Sequence, residues 1–276
     1  MSSEPVPAAA ELPILAADES PPFEVLNGDA GGRLLLICDH ASNIVPRARG
    51  DLGLPHVELR RHIGWDIGAA SVSRHLVALM NAPAVLARFS RLVIDCNRAP
   101  DHPGLIPPVS DRTEVPGNRD LTAGERAARL AELFVPYHAE IDRQIDRLAA
   151  GAGVDPVIVS IHSFTPMMDG VERPWQTGIL WNRDPRLAVP LIERLRREPD
   201  LVVGDNEPYS AREGFGHTLD TRGDGRGLAN ALIEIRQDLI DTDHGAAAWA
   251  ERLKAALDDV LGDPALYRAQ PAGASR

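Results

Sequence analysis

The sequence contains no run of about eighteen apolar residues, so no segment reads as a membrane-spanning helix. Its start lacks a basic stretch followed by an apolar one, which argues against a signal peptide and makes the cytoplasm the expected compartment. Cysteine is scarce. Cys38 and Cys96 cannot build a disulfide framework, and each sits in an apolar run where a reduced, buried thiol is the usual outcome. Positive charge is also in deficit, with 29 Lys and Arg against 40 Asp and Glu for a net −11. That balance excludes the basic face a nucleic-acid binder needs. Lysine is nearly missing: Lys254 is the single one, so the positive charge is almost all guanidinium, which grips carboxylates in a fork.

What the sequence does have is an ordinary globular composition, 44% hydrophobic and 25% charged over 276 residues, enough for a substantial core. Residues 1–22 are rich in Pro, Ala, Ser and Glu without periodicity and read as a flexible tail, with a single α/β domain over 23–276. Short apolar runs at 33–38, 84–89, 91–96, 156–161 and 177–181 predict strands, joined by a strand at 200–204, while the alternation in 228–240 favours a strand with one polar face over a helix, the alternative there. Between them, helical spacing covers 57–80, 186–197 and 246–261, with Gly64 and Gly68 interrupting the first. A capping box, Thr122 with Glu125, opens a further helix to about Leu148. The alternation predicts an α/β fold around a largely parallel sheet, and residues 99–120 form a long loop of the kind that usually carries function.

Several of these runs end in polar residues, where sites in open sheets lie. His40 and His162 follow strands directly and are candidate zinc ligands; a catalytic site needs about three protein donors and an open position for water. The third donor is open among Asp39, Asn43 and Asp66. Asparagine is a poor zinc ligand and Asp39 alternates away from His40 on a continuing strand, which favours Asp66. Arg88, Arg91, Asp95, Asn97 and Arg98 form a candidate anion cradle. Glu234 lies between Ile233 and Ile235; a solvated pair with Arg236 is the plainer reading, a general base the sharper one. Tyr209 and His217, in Gly-rich loops, are candidate substrate contacts.

Taken in order, DHASNIVP (39–46), HIGWDIGA (62–69), RFSRLVIDCNR (88–98), PYH (136–138), SIHSF (160–164), NEPYS (206–210) and LIEIR (232–236) resemble the N-formylglutamate amidohydrolase family. More distantly, the pattern is similar to the zinc carboxypeptidase and aspartoacylase superfamily. The resemblance implies a three-layer αβα fold with a mostly parallel mixed sheet, like the phosphorylase/hydrolase zinc exopeptidases. It implies His40 and His162 as ligands of Zn2+ or another divalent ion, Arg98 and Asn97 as binders of a substrate carboxylate, and Glu234 as the base. The carboxypeptidase-like pattern has a Glu three residues after its first His; Asn43 stands there in this chain, so Asp66 is taken as the third ligand. Arg88 or Arg91 would stabilise the oxyanion, and Ser163, Tyr209 and His217 would touch substrate.

The expected activity is metal-dependent hydrolysis of a linear amide in a small anionic N-acyl amino acid, N-formyl-L-glutamate foremost, as in amino-acid degradation. An amidase or carboxypeptidase for a larger peptide-like substrate is one alternative, and a non-catalytic binder of anionic amino acids the other.

Overall fold

The computed structural model describes residues 13–213 and 216–271. Seven strands form the main sheet: β1 (Phe23–Leu26), β2 (Leu34–Cys38), β3 (Ala84–Ala87), β4 (Val157–Phe164), β5 (Thr177–Leu180), β6 (Val203–Asp205) and β7 (Asn230–Arg236). Their order is β1-β3-β2-β4-β7-β5-β6. The central run β3-β2-β4-β7 is parallel throughout, while β1 runs antiparallel to β3 and β5 antiparallel to β7. Every residue of β2 is buried, as its unbroken apolar run LLLIC demands of a strand covered on both faces.

Helices α1 (Ala69–Met80), α2 (Val135–Ala152), α3 (Pro185–Leu195) and α4 (Asp243–Val260) cover the two faces. One face buries Leu34, Leu36 and Cys38 against Val72 and Leu76 of α1, Leu191 of α3 and Leu253 of α4. The other buries Leu35 and Ile37 against Tyr137, Ile141 and Ile145 of α2. The result is the expected three-layer αβα arrangement. The chain leaves β2 for β3 through α1 on one face and reaches β4 through α2 on the other. A crevice therefore opens between the carboxyl ends of β2 and β4. Among the described residues no helix is long and apolar enough to cross a membrane.

Three expectations need correction. The run Arg91–Cys96 is not a strand: it turns, with Val93 N–H donating to Ser90 O and Asp95 N–H to Leu105 O. Its apolar side chains, Leu92, Val93 and Ile94, fill a third cluster with Leu105, Leu133 and Phe134. Buried Arg129 locks this loop, donating to Val93 O at 2.9 Å, Asn118 Oδ1 at 2.7 Å and Gly117 O at 3.2 Å.

The periodic stretch 57–80 is broken: one helical turn, His56–Leu59, precedes an irregular stretch before α1. A Cβ on Gly64 would sit 2.2 Å from Leu59 O, and one on Gly68, whose φ is +82°, 2.1 Å from Ile240 O, so the chain turns closely where only glycine fits. Finally, order begins before Phe23. Residues 1–12 of the expected tail lie outside the described residues, but Ile14 is fully buried in the third cluster and Glu132 accepts from Ile14 N–H and Leu15 N–H, each at 3.0 Å.

Candidate active site

His40 stands two residues beyond β2. His162 is the sixth residue of β4, and Glu234 pairs in register with it from β7, so both side chains leave the sheet on the same side. Asp66 comes from the glycine-bounded turn before α1, its N–H donating to His40 O at 3.0 Å. All four residues are buried.

Asp66 Oδ2 lies 2.8 Å from His162 Nδ1 and 3.3 Å from His40 Nδ1. The other ring nitrogens are occupied from behind: His40 Nε2 is 2.7 Å from Asp95 Oδ1, and His162 Nε2 is 3.2 Å from Asp39 Oδ2. Both histidines thus turn Nδ1 to a shared centre and Nε2 to a carboxylate, the backing that orients metal-bound imidazoles. Asp39 is itself fixed, its Oδ1 accepting from Tyr137 OH at 2.9 Å and Thr218 Oγ1 at 2.7 Å. His40, Asp66 and His162 offer three donor atoms within 4.8 Å of one another, a set that suits a divalent ion of the zinc type with a position left for water.

The electrostatics agree with that fit. Burial opposes ionisation of Asp66, yet His40 and His162 outweigh it and hold the carboxyl well below the usual range. Burial likewise opposes Asp39, whose carboxyl His162 pulls down to about 2. Burial would lower His162, but Asp39 and Asp66 raise it to about 10. The carboxylates of Asp39, Asp66 and Asp95 thus surround the two imidazoles and, against burial, raise their affinity for protons, with Arg91 paired to Asp66 and Asp95. Glu234 is different. Burial pushes it up to about 7, and its Oε2 has no hydrogen-bond partner.

These groups open onto a cavity of about 590 Å3, whose lining includes Arg91, Arg98, Ser163, Phe164, Tyr209 and Glu234. Its mouth is framed by two short hairpins, Val109–Ser110 with Thr113–Glu114 and Met167–Met168 with Val171–Glu172, bridged by an Arg112–Asp169 ion pair.

The profile of the N-formylglutamate amidohydrolase family matches residues 32–241, which contain every side chain just described. The chain belongs to that family. A gene product of Agrobacterium tumefaciens is similar at 39% identity and a TM-score of 0.87, with 90% of this chain and 98% of that one covered. The N-formylglutamate amidohydrolase of Ralstonia eutropha shares the fold at 21% identity and a TM-score of 0.69, covering 88% of this chain and 99% of that one. No curated protein sequence matches the chain. Membership makes the chain a hydrolase that acts on an amide.

In this amidohydrolase the structure gathers most, but not all, of the residues singled out in the sequence. His40, Asp66, His162 and Glu234 converge, and Arg98, Ser163 and Tyr209 line the cavity with them. Arg88 does not join them. Its guanidinium turns to the edge of the sheet, Nε donating to Pro21 O at 3.0 Å and Nη2 to Phe23 O at 3.4 Å, because β3 ends at Ala87 and the chain turns there. Asn97 reaches the cavity wall, but its Oδ1 accepts from Thr218 N–H at 3.0 Å and so braces the next loop. His217 packs its ring 5.8 Å from Phe134 and 5.6 Å from His138, off the cavity wall.

The residues behind the histidines were not found by sequence reasoning. Asp39 is a candidate third donor that strand alternation disfavours, yet β2 stops at Cys38 and Asp39 stays with the site, its Oδ2 behind His162 Nε2. Asp95 was grouped with an anion cradle; its place behind His40 depends on the turn that replaces the expected strand. An Asp adjoining a strand-end His was the available signal for the first. For the second, no local signal exists.

Proposed function

We propose that the chain hydrolyses the amide of a small N-acyl amino acid bearing a carboxylate, N-formyl-L-glutamate foremost, with a divalent ion, zinc first, held by His40, Asp66 and His162. The observation that carries the reading is the shared centre of two Nδ1 atoms and Asp66 Oδ2 beside a buried Glu234 carboxyl whose Oε2 has no hydrogen-bond partner. A bound cation would supply Lewis acidity, polarising the amide carbonyl and acidifying a water. Glu234 then has the place and the proton affinity for a general base. Its carboxylate takes a proton from the attacking water as the C–O bond forms, and returns it to the amide nitrogen as the C–N bond breaks. Arg98, half-buried on the cavity wall, anchors the carboxylate of the amino acid, with Tyr209 and Ser163 beside it. Asp39 and Asp95 keep both imidazoles turned the right way.

The cavity runs from this centre to the hairpin tips, and that extent favours, as a second reading, N-acyl or peptide-like substrates longer than formylglutamate. One experiment addresses both. Amine release is measured over N-formyl, N-acetyl and longer N-acyl glutamates and their aspartate and neutral counterparts, with the protein chelated and then reloaded with zinc. Full turnover by the chelated protein refutes the metal reading; preference for neutral amino acids refutes the role of Arg98.

A further inference from the structure

Arg91 is too heavily engaged to be a simple oxyanion contact. Its Nε and Nη2 donate to Asp95 Oδ2 at 3.1 and 2.7 Å, and its Nη1 donates to Asp66 Oδ1 at 3.3 Å. One planar guanidinium thus bridges two carboxylates that serve the metal cluster in different ways. Asp95 uses its other oxygen, Oδ1, to hold His40 Nε2 and also accepts from Asn97 N–H at 2.9 Å. Asp66 uses its other oxygen, Oδ2, to face His40 and His162. In each carboxylate one oxygen is assigned to the cluster and one to Arg91.

From this division, and resting on the metal reading above, we infer that Arg91 is a positioning residue that makes Asp66 a one-oxygen ligand. A carboxylate bound through both oxygens takes up an extra place around a cation; one bound through a single oxygen leaves that place to water. With Nη1 holding Oδ1, Asp66 presents Oδ2 alone. Through its fork on Asp95, the same guanidinium fixes the angle at which His40 offers Nδ1. A lysine in this place has one compact charge and no fork, so it cannot serve both carboxylates in their fixed geometry.

The test uses cobalt in place of zinc, because its visible spectrum reports the number and geometry of ligands without any turnover. Arg91→Ala and Arg91→Lys are compared with the unaltered protein and with Arg88→Ala, whose guanidinium lies away from the cluster. Each is assayed for cobalt spectrum, for metal affinity against a competing chelator, and for folding by circular dichroism. The expected result is a weaker, shifted cobalt spectrum in Arg91→Ala, from a higher coordination number, together with about a 10- to 100-fold loss of affinity. Arg91→Lys shows the same change in smaller measure, and Arg88→Ala shows none.

If Arg91→Ala fails to fold, Arg91→Lys decides. A spectrum and affinity equal to those of the unaltered protein in the folded variants overturn the inference. Absence of metal binding by the unaltered protein overturns it together with the metal reading, whereas tight binding without amide hydrolysis refutes the activity alone.

Discussion

Glu234 and His162 stand opposite each other in the register of two neighbouring parallel strands, β7 and β4. That pairing places a carboxyl with no partner on Oε2 beside a cluster in which every other carboxylate is held by a histidine or an arginine. Replacing Glu234 with Gln keeps the shape and removes the carboxylate proposed as the base. We expect kcat to fall by about 10²- to 10⁴-fold while metal content per chain stays constant. Steady-state kinetics paired with elemental analysis checks both halves, and a kcat within threefold of the original removes Glu234 from the proton path.

The carboxylates around His162 give the proposed metal binding a definite pH dependence. In the metal-free protein burial lowers the affinity of His162 for its proton, but Asp39 and Asp66 reverse this and raise it from 6.5 to about 10. A folded-state value above the unfolded one means that this proton stabilises the metal-free fold fully below pH 6.5, and that the benefit is lost as pH rises towards 10. A cation needs Nδ1 without its proton, so binding competes with it and strengthens over the same interval. The melting temperature of the metal-free protein should therefore fall between pH 6.5 and 9 relative to the loaded protein. Thermal melts with and without chelator across that range measure the gap; a gap that stays constant contradicts the assignment.

Much of this arrangement was legible in the sequence, and the limits have physical causes. Buried strands announce themselves by apolar runs, so β2 and β4 are readable and with them His40, just past the end of β2, and His162, which lies within β4 rather than after it because the strand continues to Phe164. Glu234 was readable as a residue turned away from Ile233 and Ile235, but whether its face met solvent or a site depended on which strand paired beside it. The segment 91–96 has the composition of a strand and is a loop, because its apolar residues are claimed by a cluster under the loops rather than by the sheet. Arg88 is diverted by a separate cause: β3 ends at Ala87, and the side chain turns to the backbone at Pro21 and Phe23. Local pattern reports burial. It does not say which neighbour provides it.

Gly68 shows how a residue without a side chain bears on the site. It lies two residues after Asp66 with φ +82° and with no room for a Cβ beside Ile240 O. Gly68→Ala should cost about 1–3 kcal/mol of stability and weaken metal binding, because Asp66 shifts with the turn. Gly151 in α2 is the contrast: nothing lies within 4 Å of its added Cβ, so Gly151→Ala should gain about 0.5–1 kcal/mol. Chemical denaturation of both variants, with chelator competition on the first, measures these effects. Equal stability of the two would show that the turn is not strained by a side chain.

Arg88 and Arg98 carry the same group ten positions apart, and the structure separates them. Arg98 lines the cavity, with Asp95 and Arg91 in its electrostatic surroundings, whereas Arg88 binds backbone carbonyls at the sheet edge. A carboxylate of the substrate held by a guanidinium contributes about 1.5–3 kcal/mol through charge-assisted hydrogen bonds. Arg98→Ala should then raise KM for N-formylglutamate by about 10- to 150-fold and raise it far less for an N-formyl amino acid without a side-chain or α-carboxylate at that subsite. Arg88→Ala should leave both kinetic constants in place and lower only stability. The comparison is a set of initial rates on two substrates with three proteins. If Arg98→Ala raises KM equally for charged and neutral substrates, the residue shapes the cavity without reading the carboxylate, and the anion must be held by another group on the wall.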